Sequence, residues 1–390
     1  MKLVDSNTCT GCGACCAACP THAIQMEQDV YGFLRPQVDS CKCIECGVCH
    51  NVCPILQSTI VNCAPICFAA RTKDRELLLE SSSGGIFTEL SRIVLSSGGC
   101  VFGCVMENCV AKHRCATDET GLAAMRGSKY VQSDIGTSLY DCKVQLSMGR
   151  EVLFSGTPCQ IAALTSYLGK SYSNLITVAL ICHGVASPLM LRRYIAEEGF
   201  LQKAKLTDIE FRDKKSRIGE ISMTCHLENG RKKSYSWDNV YMRAFLDAYS
   251  YRPCCFNCKF RSGKCDADII LGDFWGIEHI SSEFNVKEGA SAVLIYSEKG
   301  NALFEKLDVF RRPVNYEDIS KYNKNLDHDA VPPKGRKAFL ALVRDGGSTR
   351  TFFSKVDHVP LYKTLVKKVK DILRPGYYKM RWIIAGTYGR

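Results

Sequence analysis

The chain has 390 residues, 46% hydrophobic and 23% charged, a globular mix with room for two or three domains and a sizeable core. No part reads as low-complexity disorder, the N-terminus lacks the apolar run of a secretory signal, and runs such as LITVALIC are too short to span a bilayer, so a soluble, cytoplasmic chain is expected. The formal charge of +11 comes without the aromatic-interleaved basic stripe of a nucleic-acid platform, which argues against a nucleic-acid partner.

Twenty-four cysteines in such a chain point to metal or redox chemistry rather than to disulfides. The first run places Cys9, Cys12, Cys15 and Cys19 before Pro20, and the pattern repeats as Cys43, Cys46, Cys49 and Cys53 before Pro54. Two copies of this spacing form the bacterial two-cluster ferredoxin signature, in which the fourth cysteine of each run ligates the other cluster. Cys9, Cys12, Cys15 and Cys53 are therefore expected on one 4Fe–4S cluster, and Cys43, Cys46, Cys49 and Cys19 on the other. Gly11, Gly13 and Gly47 let the backbone approach the sulfides. Cys16 and Cys41 fall outside the register. A pair of zinc sites would need two short pairs split by a longer loop. Each oxidised cluster carries about −2 with its thiolates, so three would lower the net charge to about +5.

After a connector at 57–65, SSSGGIFTELSRIVLSSGG predicts a helix with Ile86, Leu90, Ile93 and Val94 on one face, stopped by Gly98 and Gly99. Its Ser-Gly-Gly start suits a phosphate or is simply a cap. CVFGCVMENCVAKHRCA, from 100, reads as a strand pair. In MRGSKYVQSD, Arg126, Ser128 and Lys129 suit a nucleotide's phosphates, with surface charge the alternative. EVLFSGTPCQIAAL predicts a buried strand, a turn and a helix with Cys159 in its first turn, where the helix N-terminus lowers a thiol's pKa. LITVALICHGVASP brings a second strand to an end at Cys182 and His183. Cys255 and Cys258 lie on one loop, and Asp273 and Trp275 end an apolar strand. A third cluster held by Cys159, Cys182, Cys255 and Cys258 is expected, against a local zinc site at the last loop.

The segments SSGGIFTEL, RGSKYVQSD, SGTPCQIAAL, CHGVASP, EFRDK and ADIILGDFWG occur in this order from about 81 to 278. Together they resemble the coenzyme F420 hydrogenase/dehydrogenase beta-subunit family, here preceded by a ferredoxin domain. The resemblance implies an α+β chain: a two-cluster ferredoxin-like domain at 1–58, then an α/β FAD-binding catalytic domain in parts at 66–148 and 149–330, and a basic extension at 331–390. It implies FAD bound without the GxGxxG fingerprint, around Ser83, Gly84, Gly85, Arg126, Ser128, Lys129 and Tyr130. Cys159, Cys182, Cys255 and Cys258 match the family's cysteine motifs, whereas Cys265 stands where a basic residue is expected. His183 would donate to the flavin or relay a proton, with a structural histidine as the alternative.

The function implied is an iron–sulfur flavoprotein oxidoreductase passing electrons between clusters, FAD and a hydride carrier such as coenzyme F420. A redox partner protein or ferredoxin would exchange electrons with it. The alternatives are a ferredoxin-dependent FAD reductase of an organic substrate, linked in some family members to surface polysaccharide, and an electron-relay subunit without turnover of its own. At the C-terminal end, Leu361, Leu365 and Val369 form an apolar stripe beside Lys363, Lys367, Lys368 and Lys370, followed by Tyr377, Tyr378 and Trp382. That pattern reads as a helix packed on the domain, with contact at an anionic membrane surface as the competing reading.

Overall fold

The structure is a computed structural model and describes residues 3–57, 64–216, 222–236, 239–261, 266–285 and 288–356. The apolar stripe and aromatics of 361–382, and Cys265, lie outside the described residues.

The first unit follows the cysteine repeat. Two four-residue helices, Ala14–Ala17 and Val48–Asn51, are each entered through a left-handed glycine, Gly13 at φ 79° and Gly47 at φ 78°. A side chain in that backbone region is strained, so glycine turns the chain where the cysteines must close on a centre. An antiparallel hairpin, Ile24–Gln28 with Leu34–Val38, packs beside them with Ile24 opposite Val38. Phe33 before its second strand is fully buried.

Behind this unit lies an eight-stranded mixed sheet. In spatial order its strands are Val309–Pro313, Ile66–Thr72, Ser291–Ile295, Ile269–Asp273, Leu175–Leu180, Val152–Gly156, Cys100–Glu107 and Val110–Ala116. The four strands from Ile269–Asp273 to Cys100–Glu107 pair in parallel, and the flanking pairs are antiparallel. Strands from both expected parts of the catalytic domain interleave in this one sheet. Parallel strands need both faces covered, which is why VLFSG at 152–156 is buried throughout. Leu153, Val178 and Leu271 face helices Ile86–Ser96 and Glu298–Glu305, packing on Leu90, Val94 and Phe304. Val152, Phe154 and Ala179 face helices Ser138–Ser147 and Pro158–Leu168 on the other side. Phe154 stacks between Phe102, 5.6 Å away, and His113, 5.8 Å away. Truncating such an enclosed ring to alanine costs about 3–5 kcal/mol.

A second core forms on the three-stranded antiparallel sheet Lys232–Ser236, Ser222–Leu227 and Leu206–Glu210. Helices Pro188–Gln202, Val240–Leu246 and Arg336–Arg344 pack there, and Phe339, Leu340, Val343, Phe352 and Phe353 are buried in it. The stretch expected as a basic extension thus begins with residues that complete a core. The local elements follow the sequence patterns: the helix after Gly85 spans Ile86–Ser96, and 100–116 forms the expected strand pair. Among the described residues no helix is long and apolar enough to cross a membrane.

Candidate functional site

The parallel strands run toward one end of the sheet, and the chemistry-bearing residues collect there. Strand Val152–Gly156 passes through Thr157 into helix Pro158–Leu168, with a reciprocal cap in which Thr157 and Gln160 satisfy each other's end. Cys159 therefore sits in the first turn, its Sγ 3.2 Å from the Thr157 hydroxyl. Strand Leu175–Leu180 stops two residues before Cys182. Ile181 still pairs with the Leu271 carbonyl at 2.8 Å, and the chain then leaves the sheet. Gly184, at φ 147°, lies where a Cβ would meet the Tyr251 ring at 2.5 Å. Close packing against that ring turns the chain away from the strand.

The cysteines gather in three groups. Cys9, Cys12, Cys15 and Cys53 line one small cavity, together with Gly11, Gly13 and Cys49. Burial first, and then neighbouring Cys9 and Cys53, push the Cys12 and Cys15 thiols upward. Cys19, Cys43, Cys46 and Cys49 line a second cavity. Cys19 is held below its ordinary value despite its burial, because the Thr21 hydroxyl and the Ala23 amide, 3.3 Å away, hydrogen-bond its sulfur. The third group joins Cys159 and Cys182 to the loop carrying Cys255 and Cys258. Burial raises Cys182 to about 12, helped by Cys255 and Cys258 beside it. Burial also raises Cys159, with Cys182, Cys258 and Cys12 adding to the effect. The helix N-terminus expected to lower the Cys159 pKa is outweighed by burial among other thiols. Among the described residues no three His, Cys, Asp or Glu side chains close around a single metal ion. Ligands of a four-iron cluster stand farther apart than those of one ion, so this spacing is compatible with clusters.

One large cavity, about 270 Å³, adjoins the first and third groups. Cys12 and Gly11 wall it from the ferredoxin side, and Cys159, Cys182 and His183 from the strand ends. Ser83, Gly85, Arg126, Ser128, Lys129 and Tyr130 also line it. Gly84 lies behind the wall, its amide donating to Ser291 Oγ at 2.9 Å, and a Cβ there would come within 2.3 Å of the Ala70 carbonyl. Gly85 to Thr88 bring the start of helix Ile86–Ser96 to the cavity, and no side chain caps that helix end. The Ser82 hydroxyl accepts from the Ser128 amide at 2.7 Å and so ties the two polar segments together.

The two basic residues here are already engaged. Arg126 pairs with Glu80 at 2.8 Å and also with Glu119. Lys129 Nζ donates to the carbonyls of Ala124, Met125 and Arg126, at the end of helix Glu119–Met125, and burial pushes it down to about 8. Tyr130 stacks on Phe245 at 4.6 Å. His183 Nδ1 accepts from the Asn325 amide at 3.1 Å, which puts the ring proton on Nε2, and burial holds its pKa below the usual value.

Several supporting residues escaped the sequence reading. His113 is buried at the cavity between the Ser133 hydroxyl and the Ser155 carbonyl, both at 3.2 Å, and burial lowers it to about 4. Arg261 donates to the carbonyls of Cys182 and His183, each at 3.0 Å, and pairs with Asp329 at 2.9 Å, clamping the third cysteine group. Lys214, in the EFRDK stretch, donates to the carbonyls of Leu78, Ser83 and Glu288 and fixes the loop before helix Ile86–Ser96. A lone histidine, arginine or lysine has no spacing signature, so only the sequence neighbourhood of Lys214 carried any signal.

Residues 8–55 match the family model described as 4Fe-4S dicluster domain, and residues 149–312 match the model for the C terminus of the coenzyme F420 hydrogenase/dehydrogenase beta subunit. No curated protein matches the chain. Among solved structures, a chain of the F420-reducing NiFe hydrogenase complex from Methanosarcina barkeri is 18% identical, with 76% of this chain and 92% of that chain covered and a TM-score of 0.45. A 4Fe-4S dicluster domain at 8–55 and a C-terminal domain of the coenzyme F420 hydrogenase/dehydrogenase beta-subunit type at 149–312 thus follow one another in one chain, which relates it to iron–sulfur electron transfer of the oxidoreductase type.

Proposed function

We propose that the chain is an FAD- and iron–sulfur-dependent oxidoreductase that exchanges electrons with a redox partner protein or ferredoxin, and hydride with a mobile carrier such as coenzyme F420. One observation carries this reading. A single cavity is walled at once by a ferredoxin cysteine loop, by two cysteines of the third group, and by an uncapped helix start. The matched family's name supports the carrier.

The donor set fits a flavin nucleotide. The start of helix Ile86–Ser96 and the Ser82 hydroxyl, which Ser128 holds by donating to it, offer hydrogen-bond donors to phosphate, and Met125, Tyr130 and Phe245 offer apolar walls to a ring. Ser83, Gly84 and Gly85 shape the approach, with Ser83 Oγ donating to the Ala290 carbonyl at 2.8 Å. With Arg126 and Lys129 engaged in the protein, backbone amides and hydroxyls would bind the phosphates, while the cations hold the walls. When bound, clusters supply one-electron transfer, and FAD couples single electrons to hydride. Cys159, Cys182, Cys255 and Cys258 would hold the third cluster, and His183 holds a proton at Nε2 beside the cavity.

Anaerobic purification with iron, acid-labile sulfide and released-flavin counts tests the reading. About twelve irons and one FAD per chain are expected, whereas about eight irons and no flavin would leave a ferredoxin on a scaffold. Given bound FAD, turnover with coenzyme F420 or another hydride carrier separates the enzyme from a relay subunit, which would show none.

A further inference from the structure

Arg252 is the largest of the fully buried side chains, at 0% exposure. It starts the turn Pro253–Phe256 that carries Cys254 and Cys255, and its own amide donates to the Val185 carbonyl at 3.0 Å. The side chain points away from that loop into the ferredoxin unit. Nε donates to the Cys9 carbonyl at 2.7 Å, Nη1 to the Leu34 carbonyl at 2.9 Å, and Nη2 to Cys9 Sγ at 3.7 Å. The guanidinium carbon stands 5.5 Å from the centre of the Phe33 ring. Among the described residues no carboxylate pairs with it.

A guanidinium does not lose its proton in a protein, so burial without an anion is strongly unfavourable. A cluster held by Cys9 with its partners would supply that negative charge, since the Cys9 sulfur is the one in contact with the guanidinium. The repeat offers an internal comparison. Cys43 holds the position of Cys9 in the second motif, and among the described residues no side-chain cation donates to its sulfur; at that centre the neutral Thr21 hydroxyl and Ala23 amide hydrogen-bond to Cys19. Hydrogen bonds to ligand sulfurs and local charge set a cluster's potential, and a cation in a dry environment favours the reduced, more negative state.

We propose that Arg252 raises the reduction potential of the centre held by Cys9, Cys12, Cys15 and Cys53 above that of its twin at Cys43, Cys46, Cys49 and Cys19. The dicluster pair is then graded, with the better electron acceptor at the large cavity and the poorer one at the far side, where Cys46 is exposed. Arg252 is a positioning residue as well, since the same fork holds the two units together. This rests on the crossed ligand assignment made above.

The test is an anaerobic redox titration of the full chain, followed by EPR, in the wild type, Arg252→Lys and Arg252→Gln. Lysine keeps the charge and loses the fork, whereas glutamine loses the charge and can still donate. The expected result is a downward shift of one dicluster signal in Arg252→Gln, a smaller shift in Arg252→Lys, and no movement of the second signal. Loss of that centre in Arg252→Gln but not in Arg252→Lys also supports the role of charge. Equal potentials in all three proteins, equal shifts of both signals, or loss of the centre from both variants would overturn it. Fewer than about eight irons in the wild type would instead remove the ligand assignment, and the proposal with it.

Discussion

Cys12, on the first ferredoxin loop, and Cys159, in the first turn of helix Pro158–Leu168, wall the same cavity, and Cys12 stands close enough to add to the rise that burial gives the Cys159 thiol. The N-terminal cysteine repeat is therefore docked against the large cavity.

If Cys159 and Cys258 ligate a third cluster, Cys159→Ser and Cys258→Ser each lose about four irons per chain and keep the two ferredoxin clusters. Iron and acid-labile sulfide counts on the three proteins check this. Unchanged iron in both variants would sink the third-cluster assignment.

Gly11→Ala should damage the same junction. Gly11 has φ 68°, and a Cβ there would lie 2.5 Å from the Leu34 carbonyl, 2.6 Å from Gln132 Nε2 and 2.7 Å from Arg252 Nη1. Gly127 makes the control, with φ 81° and nothing within 4 Å of an added Cβ. Gly127→Ala should cost only the left-handed backbone term, about 1–2 kcal/mol. Gly11→Ala should cost more and also lose iron, as read by thermal unfolding and iron content. Equal behaviour of the two variants would show that close packing at Gly11 does not matter.

Gly84→Ala probes the loop before helix Ile86–Ser96. The added methyl would come within 2.3 Å of the Ala70 carbonyl and 2.7 Å of the Ser291 amide, so the loop must shift. Flavin binding is expected to weaken about tenfold, near 1.4 kcal/mol, with iron content unchanged. Released flavin is the readout, and undiminished affinity would separate this loop from the cofactor.

His113 gives the protein an acid sensitivity. Burial lowers its pKa from 6.5 to about 4. Above pH 6.5 folded and unfolded forms are both neutral. As the pH falls toward 4 the unfolded histidine takes up a proton that the folded one refuses, so stability is lost, by up to about 3 kcal/mol. Unfolding midpoints of wild type and His113→Gln between about pH 7 and pH 5 should diverge, with the variant flatter. Parallel curves would move the sensitivity elsewhere.

The sequence by itself determined whatever is written in local spacing. The doubled cysteine run, the glycines that turn it, the strand–turn–helix at Gly156 to Cys159 and the helix after Gly85 were all legible, because each depends on residues within one or two turns of one another. Only the tertiary structure decided what surrounds those thiols. Arg252 reaches Cys9 across 243 positions, and His113 reaches Ser155 across 42. Such contacts leave no periodic trace, since one buried side chain chosen by packing and charge looks like any other residue in the string. The engagement of Arg126 and Lys129 by the protein was hidden for the same reason. The sequence shows which residues carry charge, and the fold decides where that charge is neutralised.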